Sequence, residues 1–221
     1  MMTLLDPPET RAMRHAMVSS QLRPNAVADQ RIVAAMASVP REAYLPETAR
    51  ALAYRDTAIP LGRARAANSP MATGRLLTAA ALAATDRVLL VGAAGGYAAA
   101  VLARVVAAVV AVETDGALVA AARAALAGDK LVELVEGPLA DGWAAGAPYD
   151  VLIVDGAVER LPEALVMQVR PDGRVATGLV ERGVTRLAAG RRTAGGFGLT
   201  TFADAECVLL PGFDRPTGFH F

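Results

Sequence analysis

The chain has 221 residues, of which 54% are hydrophobic, so it can bury one substantial core and fits a single large domain, or a domain with an extension, better than two equal halves. Lys and Arg together number 22 and Asp and Glu together 22; a formal charge of zero offers no basic surface to phosphate backbones, and nucleic acid is not expected as a partner. Cys207 is the single cysteine and His15 and His220 the only histidines, each near a terminus, which excludes an intrachain disulfide and a Cys-rich zinc site and argues against histidine-based metal or triad chemistry.

The opening MMTLLDPPET has no early Lys or Arg and breaks at Pro7 and Pro8, unlike a secretory signal, and a cytoplasmic protein is expected. Glu9 to Leu22 reads as a helix with Met13, Ala16 and Met17 on one face, and Gln30 to Ser38 repeats the pattern through Ile32, Val33 and Met36, ending before Pro40. Neither short helix can bury its stripe alone. The stretch VPREAYLPETARALAYRDTAIPLG then reads as turns around a short helix beginning near Pro46, with Arg41 and Glu42 as a solvated or local structural pair. In ARAANSPMATGRLLTAAALAA, Ser69 and Pro70 stand just ahead of an apolar helix from about Met71 to Ala84, and from the residues alone Ser69 is best read as its N-cap.

The organising stretch is Arg87 to Glu113. Val88 to Val91 form a short apolar strand, Gly92, Ala93, Ala94, Gly95 and Gly96 a tight turn, and an Ala-rich helix reaches Arg104. Val109 to Val112 form a second strand ending on Glu113, about 20 residues past the first glycine, the spacing of a nucleotide-binding βαβ unit in which a carboxylate accepts both hydroxyls of a ribose. Gly96 to Val112 approaches the length of a membrane span, but Arg104 in its middle costs about 2.5–3.5 kcal/mol there. A buried helix running into a buried strand is the better reading, and no membrane is expected as a partner.

After Glu113, Thr114 or Asp115 can cap a helix to about Leu126, Leu131 to Val135 supplies a third strand and Asp150 to Asp155 a fourth. Pro162 opens a helix through Val169, and the turn Pro171-Asp172-Gly173 leads to a fifth strand, Val175 to Val180. Strictly alternating strands and helices predict a parallel sheet covered on both faces. Gly183 to Arg192 and Phe197 to Leu210, separated by Thr193 to Gly196, predict an antiparallel hairpin added at the sheet's edge.

The turn decides between cofactors. Dinucleotide glycines at relative positions 1, 3 and 6 fall on Gly92, Ala94 and Tyr97, a poor match; positions 1, 3 and 5 fall on Gly92, Ala94 and Gly96, the pattern of S-adenosylmethionine-dependent methyltransferases. With MVSSQLR, VPREAYLP, AYRDTAIPLG, VLLVGAAGGYAAAVLA, APYDVLIVDGA and LPEALVMQVRPDGR in that order, the chain over roughly residues 12 to 182 resembles the protein-L-isoaspartate O-methyltransferase family. The resemblance implies an α/β class I S-adenosylmethionine-dependent methyltransferase fold: a Rossmann-like, doubly wound, mostly parallel sheet with an antiparallel C-terminal hairpin. Residues 1–80 would form an N-terminal helical extension with the acceptor-side loop, and residues 81–221 the Rossmann-like domain.

It also implies methyl transfer from S-adenosylmethionine, leaving S-adenosylhomocysteine, to the carboxylate of isoaspartyl residues in damaged proteins or peptides. Carried over by position, Gly92, Ala93, Ala94, Gly95, Gly96 and Glu113 are the cofactor-binding candidates. The acceptor-side Ser of the family falls on Asn68 when Pro70 and Arg75 are aligned without a gap, and on Ser69 if the loop is one residue shorter. The chain departs from the family at Leu90, Ala94 and Pro138, where the family has an acid, a glycine and an Asp that meets the adenine. A fold kept as a non-catalytic binding module, or a methyltransferase with another acceptor, are the alternatives. Asp155, at the end of the fourth strand, serves either as a base for another acceptor, such as a hydroxyl or amine, or, with its side chain turned away, as a cap of the next segment, and Trp143 and Tyr149 either wall the adenine or pack.

Overall fold

The computed structural model of the protein describes residues 7–214; His220 and residues 1–6 of the opening segment lie outside them. Helix α1 (Pro8–Met17) starts on a proline, whose missing N–H is one that a helix start leaves unpaired, and continues as a wider turn over Val18–Leu22. Helix α2 (Gln30–Ser38) is capped by Asp29, which accepts from the Arg31 amide at 2.9 Å, and buries Ile32, Val33 and Met36. Short 3-10 turns at Arg41–Tyr44 and Glu47–Leu52 follow.

Strands β1 (Ile59–Gly62) and β2 (Arg65–Ala67) pair antiparallel as a small separate hairpin, where the sequence reads only as turns. They are too short for alternation to register, and their turn carries Gly62, Arg63 and Ala64 in the left-handed region (φ 93°, 49° and 57°). Helix α3 (Pro70–Ala79) stops five residues before Ala84, because Ala81 turns left-handed (φ 47°) and the Asp86 carboxylate accepts from the Ala83 amide at 2.6 Å.

The main sheet contains β3 (Arg87–Val91), β4 (Ala108–Glu113), β5 (Val132–Glu136), β6 (Tyr149–Val158), β7 (Val169–Glu181), β8 (Val184–Thr193) and β9 (Gly196–Asp204). Its order is β5-β4-β3-β6-β7-β8-β9, parallel from β5 to β7 and antiparallel through β8 and β9, as the alternation and the Gly-turn hairpin predict. Helices α4 (Tyr97–Leu102) and α5 (Gly116–Ala125) make the first crossovers, with Asp115 capping α5 by accepting from Ala117 and Leu118. Two expectations fail between β6 and β7. Helix α6 is a single turn, Glu163–Val166, and β7 begins at Val169 and runs through Pro171 to Gly173. The register jumps there from Tyr149↔Val169 to Val151↔Arg174, and Asp172 turns left-handed (φ 63°), so the predicted turn is a bulge inside the strand.

The central strands read as unbroken apolar runs because both faces are covered. Val88, Leu90, Val109, Ala111, Val151 and Ile153 face one core with α2, α3 and α4, whereas Leu89, Val91, Val110, Val112, Leu152 and Val154 face a second core with Leu161, Leu165 and Val166. Met17, Leu22, Ile32 and Met36 belong to the first core, so α2 buries its expected stripe there, but the expected face of α1 fails in part: Met17 is buried, whereas Met13 is 36% exposed and Ala16 is exposed too. Leu90 is 0% exposed inside that core. Leu90→Asp is therefore expected to cost about 3 kcal/mol or more, read as a lower urea midpoint, whereas the volume-conserving Leu90→Ile should cost less than about 1.5 kcal/mol.

Candidate active site

Strand β3 lies between β4 and β6, and chain order reverses across it, so the crevice beyond the carboxyl ends of β3 and β6 is the switch point where α/β sheets bind ligands. The turn from Gly92 to Gly96 sits there. The amides of Gly92 and Ala93 both donate to the Val112 carbonyl at 3.0 Å, pinning the turn to β4, and Gly92, Ala94 and Gly96 are left-handed (φ 84°, 50° and 97°). At Gly95 the demand is spatial: a Cβ would lie 2.0 Å from the Tyr44 carbonyl oxygen.

Glu113, at the end of β4, is 0% exposed. Its Oε1 accepts from Arg65 Nε (3.1 Å) and from the amides of Thr114 (2.9 Å) and Asp115 (3.2 Å); its Oε2 accepts from Arg65 Nη2 (2.7 Å) and the Ala94 amide (2.7 Å). The carboxylate expected to meet a ribose thus holds an internal guanidinium. Arg65 is a residue the sequence does not single out; its partner lies 48 positions away, and only the folded hairpin joins them.

Asn68 and Ser69 are both buried at the mouth of α3, with different work. The Ser69 hydroxyl accepts from the Ala72 amide at 3.2 Å, which is the N-cap reading. Asn68 donates from Nδ2 to Asp155 Oδ1 (2.9 Å) and accepts at Oδ1 from the Val208 amide (2.8 Å), and Thr73 Oγ1 also donates to Asp155 Oδ1 at 2.9 Å. Asp155 is therefore not turned away as a cap of the next segment: it lines the crevice, orients Asn68 and ties α3 to β6. Desolvation pushes its carboxyl up from the ordinary value, against the pull of Asn68, Thr73, Arg41 and Arg65.

Arg41 is 1% exposed, so the reading of Arg41 and Glu42 as a solvated pair fails for the arginine. Its guanidinium stacks 4.7 Å from the Tyr97 ring centre and donates to the Asn68 carbonyl, an arrangement set by residues far along the chain. Burial pushes the Tyr97 hydroxyl up to about 12. The segment 207–210 closes the other side: Ala157 donates to the Val208 carbonyl (2.7 Å) and Leu210 to the Ala157 carbonyl (3.0 Å), and a Cβ on Gly92 would meet Leu210 Cδ1 at 2.9 Å. Arg41, Asn68, Gly92 to Gly95, Tyr97 and Asp155 enclose about 20 Å³ of open volume, room for about one water. Trp143 and Tyr149 do not wall this crevice. Tyr149 opens β6 at the amino end of the sheet, where its hydroxyl donates to the Trp143 carbonyl at 2.8 Å and its ring lies under Arg87.

A glycine turn at the switch point, a carboxylate ending the neighbouring strand and a parallel sheet closed by an antiparallel hairpin define the class I S-adenosylmethionine-dependent methyltransferase fold. The family model described as Protein-L-isoaspartate(D-aspartate) O-methyltransferase (PCMT) matches residues 12–202. A protein-L-isoaspartate O-methyltransferase 1 of Rhodopseudomonas palustris (strain HaA2) is 41% identical over 166 residues, covering 74% of this chain and 68% of that one. A protein-L-isoaspartate O-methyltransferase of Roseiflexus castenholzii is 35% identical over 210 residues, covering 94% and 96%. Among solved structures, a Plasmodium falciparum β-aspartate methyltransferase in complex with S-adenosyl-L-homocysteine shares the fold, with TM-score 0.74 at 17% identity over 91% of this chain and 97% of that one. The chain belongs to the protein-L-isoaspartate O-methyltransferase family and is an S-adenosylmethionine-dependent O-methyltransferase.

The donor chemistry suits that cofactor, with a buried carboxylate beside a glycine turn, while the crevice on the Asn68 and Asp155 side of the turn holds only about 20 Å³ of open volume. Asp155 also sets a pH dependence. Its folded pKa lies above the unfolded value of 3.8, so in the window between the two the native state keeps a proton the unfolded state has lost, and stability falls as pH rises. Urea midpoints taken from about pH 4 to about pH 7 are expected to fall less in Asp155→Asn than in the wild type.

Proposed function

We propose that Gly92, Ala93, Ala94, Gly95, Gly96 and Glu113 hold S-adenosylmethionine, that Asn68 faces the acceptor, and that the acceptor is the α-carboxylate of an isoaspartyl residue in a damaged protein or peptide. Residues 1–80 supply the acceptor side, with Arg41 and Asn68, and residues 81–221 the cofactor side. The observation that carries the reading is the position of the Glu113 carboxylate, which accepts the Ala94 amide of the glycine turn at 2.7 Å and so lies where a ribose bound by that turn presents its hydroxyls.

When bound, S-adenosylmethionine supplies an electrophilic methyl on a positively charged sulfur. The acceptor carboxyl has an ordinary pKa of about 3.3–3.7 and is ionised near neutrality, so the chain has no proton to remove. Its residues have to strip water from the carboxylate and hold it in line. Asn68 is suited to this: Nδ2 gives one hydrogen to Asp155 and keeps a second for an acceptor oxygen, while the bonds to Asp155 and Val208 fix the amide plane. Ser69, whose hydroxyl caps α3, is the supporting residue.

Among the described residues no helix is long and apolar enough to cross a membrane, and the free, buried Cys207 suits a reducing compartment; the cytoplasm is the proposed setting. The test is transfer of a labelled methyl group to an isoaspartyl peptide, with the matching aspartyl peptide as control. Label on the first alone is the expected result, and label on neither overturns the acceptor. Asn68→Ala should lower kcat by about tenfold to a hundredfold. In calorimetry, S-adenosylhomocysteine is expected to bind the wild type and to lose measurable binding in Glu113→Ala.

A further inference from the structure

We infer that Arg65 is an intramolecular competitor of the cofactor's ribose for Glu113, so that this one residue of the β1–β2 hairpin sets the affinity of the site for its cofactor. The inference rests on the assignment of Glu113 as the ribose acid. A carboxylate offers about four lone-pair positions. Glu113 already receives five donors: two from Arg65 and one each from Ala94, Thr114 and Asp115. Two more from a ribose diol cannot be added without removing some. The amides are parts of the turn and of the start of α5, which leaves the Arg65 side chain as the group that can move.

The guanidinium is also not fully satisfied where it lies. Arg65 is 3% exposed by side chain, yet its Nη1 is buried without a hydrogen-bond partner among the described residues. A buried N–H with no acceptor makes this pairing weaker than its two short bonds to Glu113 suggest. The hairpin is strapped at its tip as well. Arg63 lies 3.8 Å from Asp115, and Arg63 and Ala64 both hold left-handed backbone that non-glycine residues rarely adopt. Ala66 and Ala67 of the same hairpin line the shut space over the glycine turn. The strand that lines the crevice with Ala66 and Ala67 is thus the one that holds Arg65 on Glu113, and the apparent dissociation constant is the intrinsic one divided by the fraction of molecules in which Arg65 is off Glu113.

The experiment is calorimetric titration of S-adenosylhomocysteine into the wild type, Arg65→Gln and Arg65→Met. Melting followed by circular dichroism shows that each variant is folded; Met keeps the length and apolar stem of the side chain, and Glu113 retains its three backbone donors in both. Binding by either folded variant about tenfold tighter than the wild type is the expected result. Equal or weaker binding by the folded variants beside a wild type that binds overturns the competitor role and leaves the methyltransferase assignment standing. No binding by any of the three at millimolar ligand removes the cofactor assignment of Glu113 and this inference with it.

Discussion

The carboxylate of Glu113 is the point on which the site's architecture depends. Three separate segments donate to it: the β1–β2 hairpin through Arg65, the glycine turn through Ala94, and the start of α5 through Thr114 and Asp115. A charge with no exposed surface is tolerated only when it is paired and hydrogen-bonded, and stripping one partner from a buried ion pair costs about 3–5 kcal/mol. That cost holds the end of β4, the turn and the hairpin in one arrangement. Any ligand that uses the same carboxylate has to replace donors the chain already provides.

The acceptor side is built on the same principle with a different chain of contacts. Asp155 accepts from Asn68 and Thr73, Asn68 accepts from Val208, and Arg41 stacks on Tyr97 while donating to the Asn68 carbonyl. The buried charged groups here are engaged in orienting an amide. This agrees with a reaction whose nucleophile arrives ionised. The carboxylate at the end of β6 is occupied within the chain: Asp155 accepts from Asn68 and from Thr73 of α3.

Closure of the crevice follows from how three covers meet over one turn. The Tyr44 carbonyl lies against Gly95, Leu210 against Gly92, and Ala66 and Ala67 of the hairpin above. Two of these glycines are thus required by the protein's own packing as well as by any ligand, so a glycine turn by itself does not separate a binding loop from a tightly packed one.

Much of the fold is written locally. β3, β4 and β6 are legible as apolar runs because both of their faces are buried, and the caps Ser69 and Asp115 are legible because a cap acts within three residues of itself. The glycine turn and Glu113 are legible by spacing, the alternation of strands and helices determines a doubly wound sheet, and the ordered motifs from MVSSQLR to LPEALVMQVRPDGR carry the resemblance that makes it a methyltransferase fold. The hairpin, the single-turn α6 and the bulge at Asp172 escape it, since strands of three or four residues and left-handed residues other than glycine carry no periodic signal. What only the tertiary structure decides is which long side chains are buried and whom they meet. Arg41 and Arg65 look like ordinary surface cations in sequence, and become the stacking partner of Tyr97 and the occupant of Glu113 because those partners lie tens of residues away and the pairing exists only once the sheet has brought the segments together.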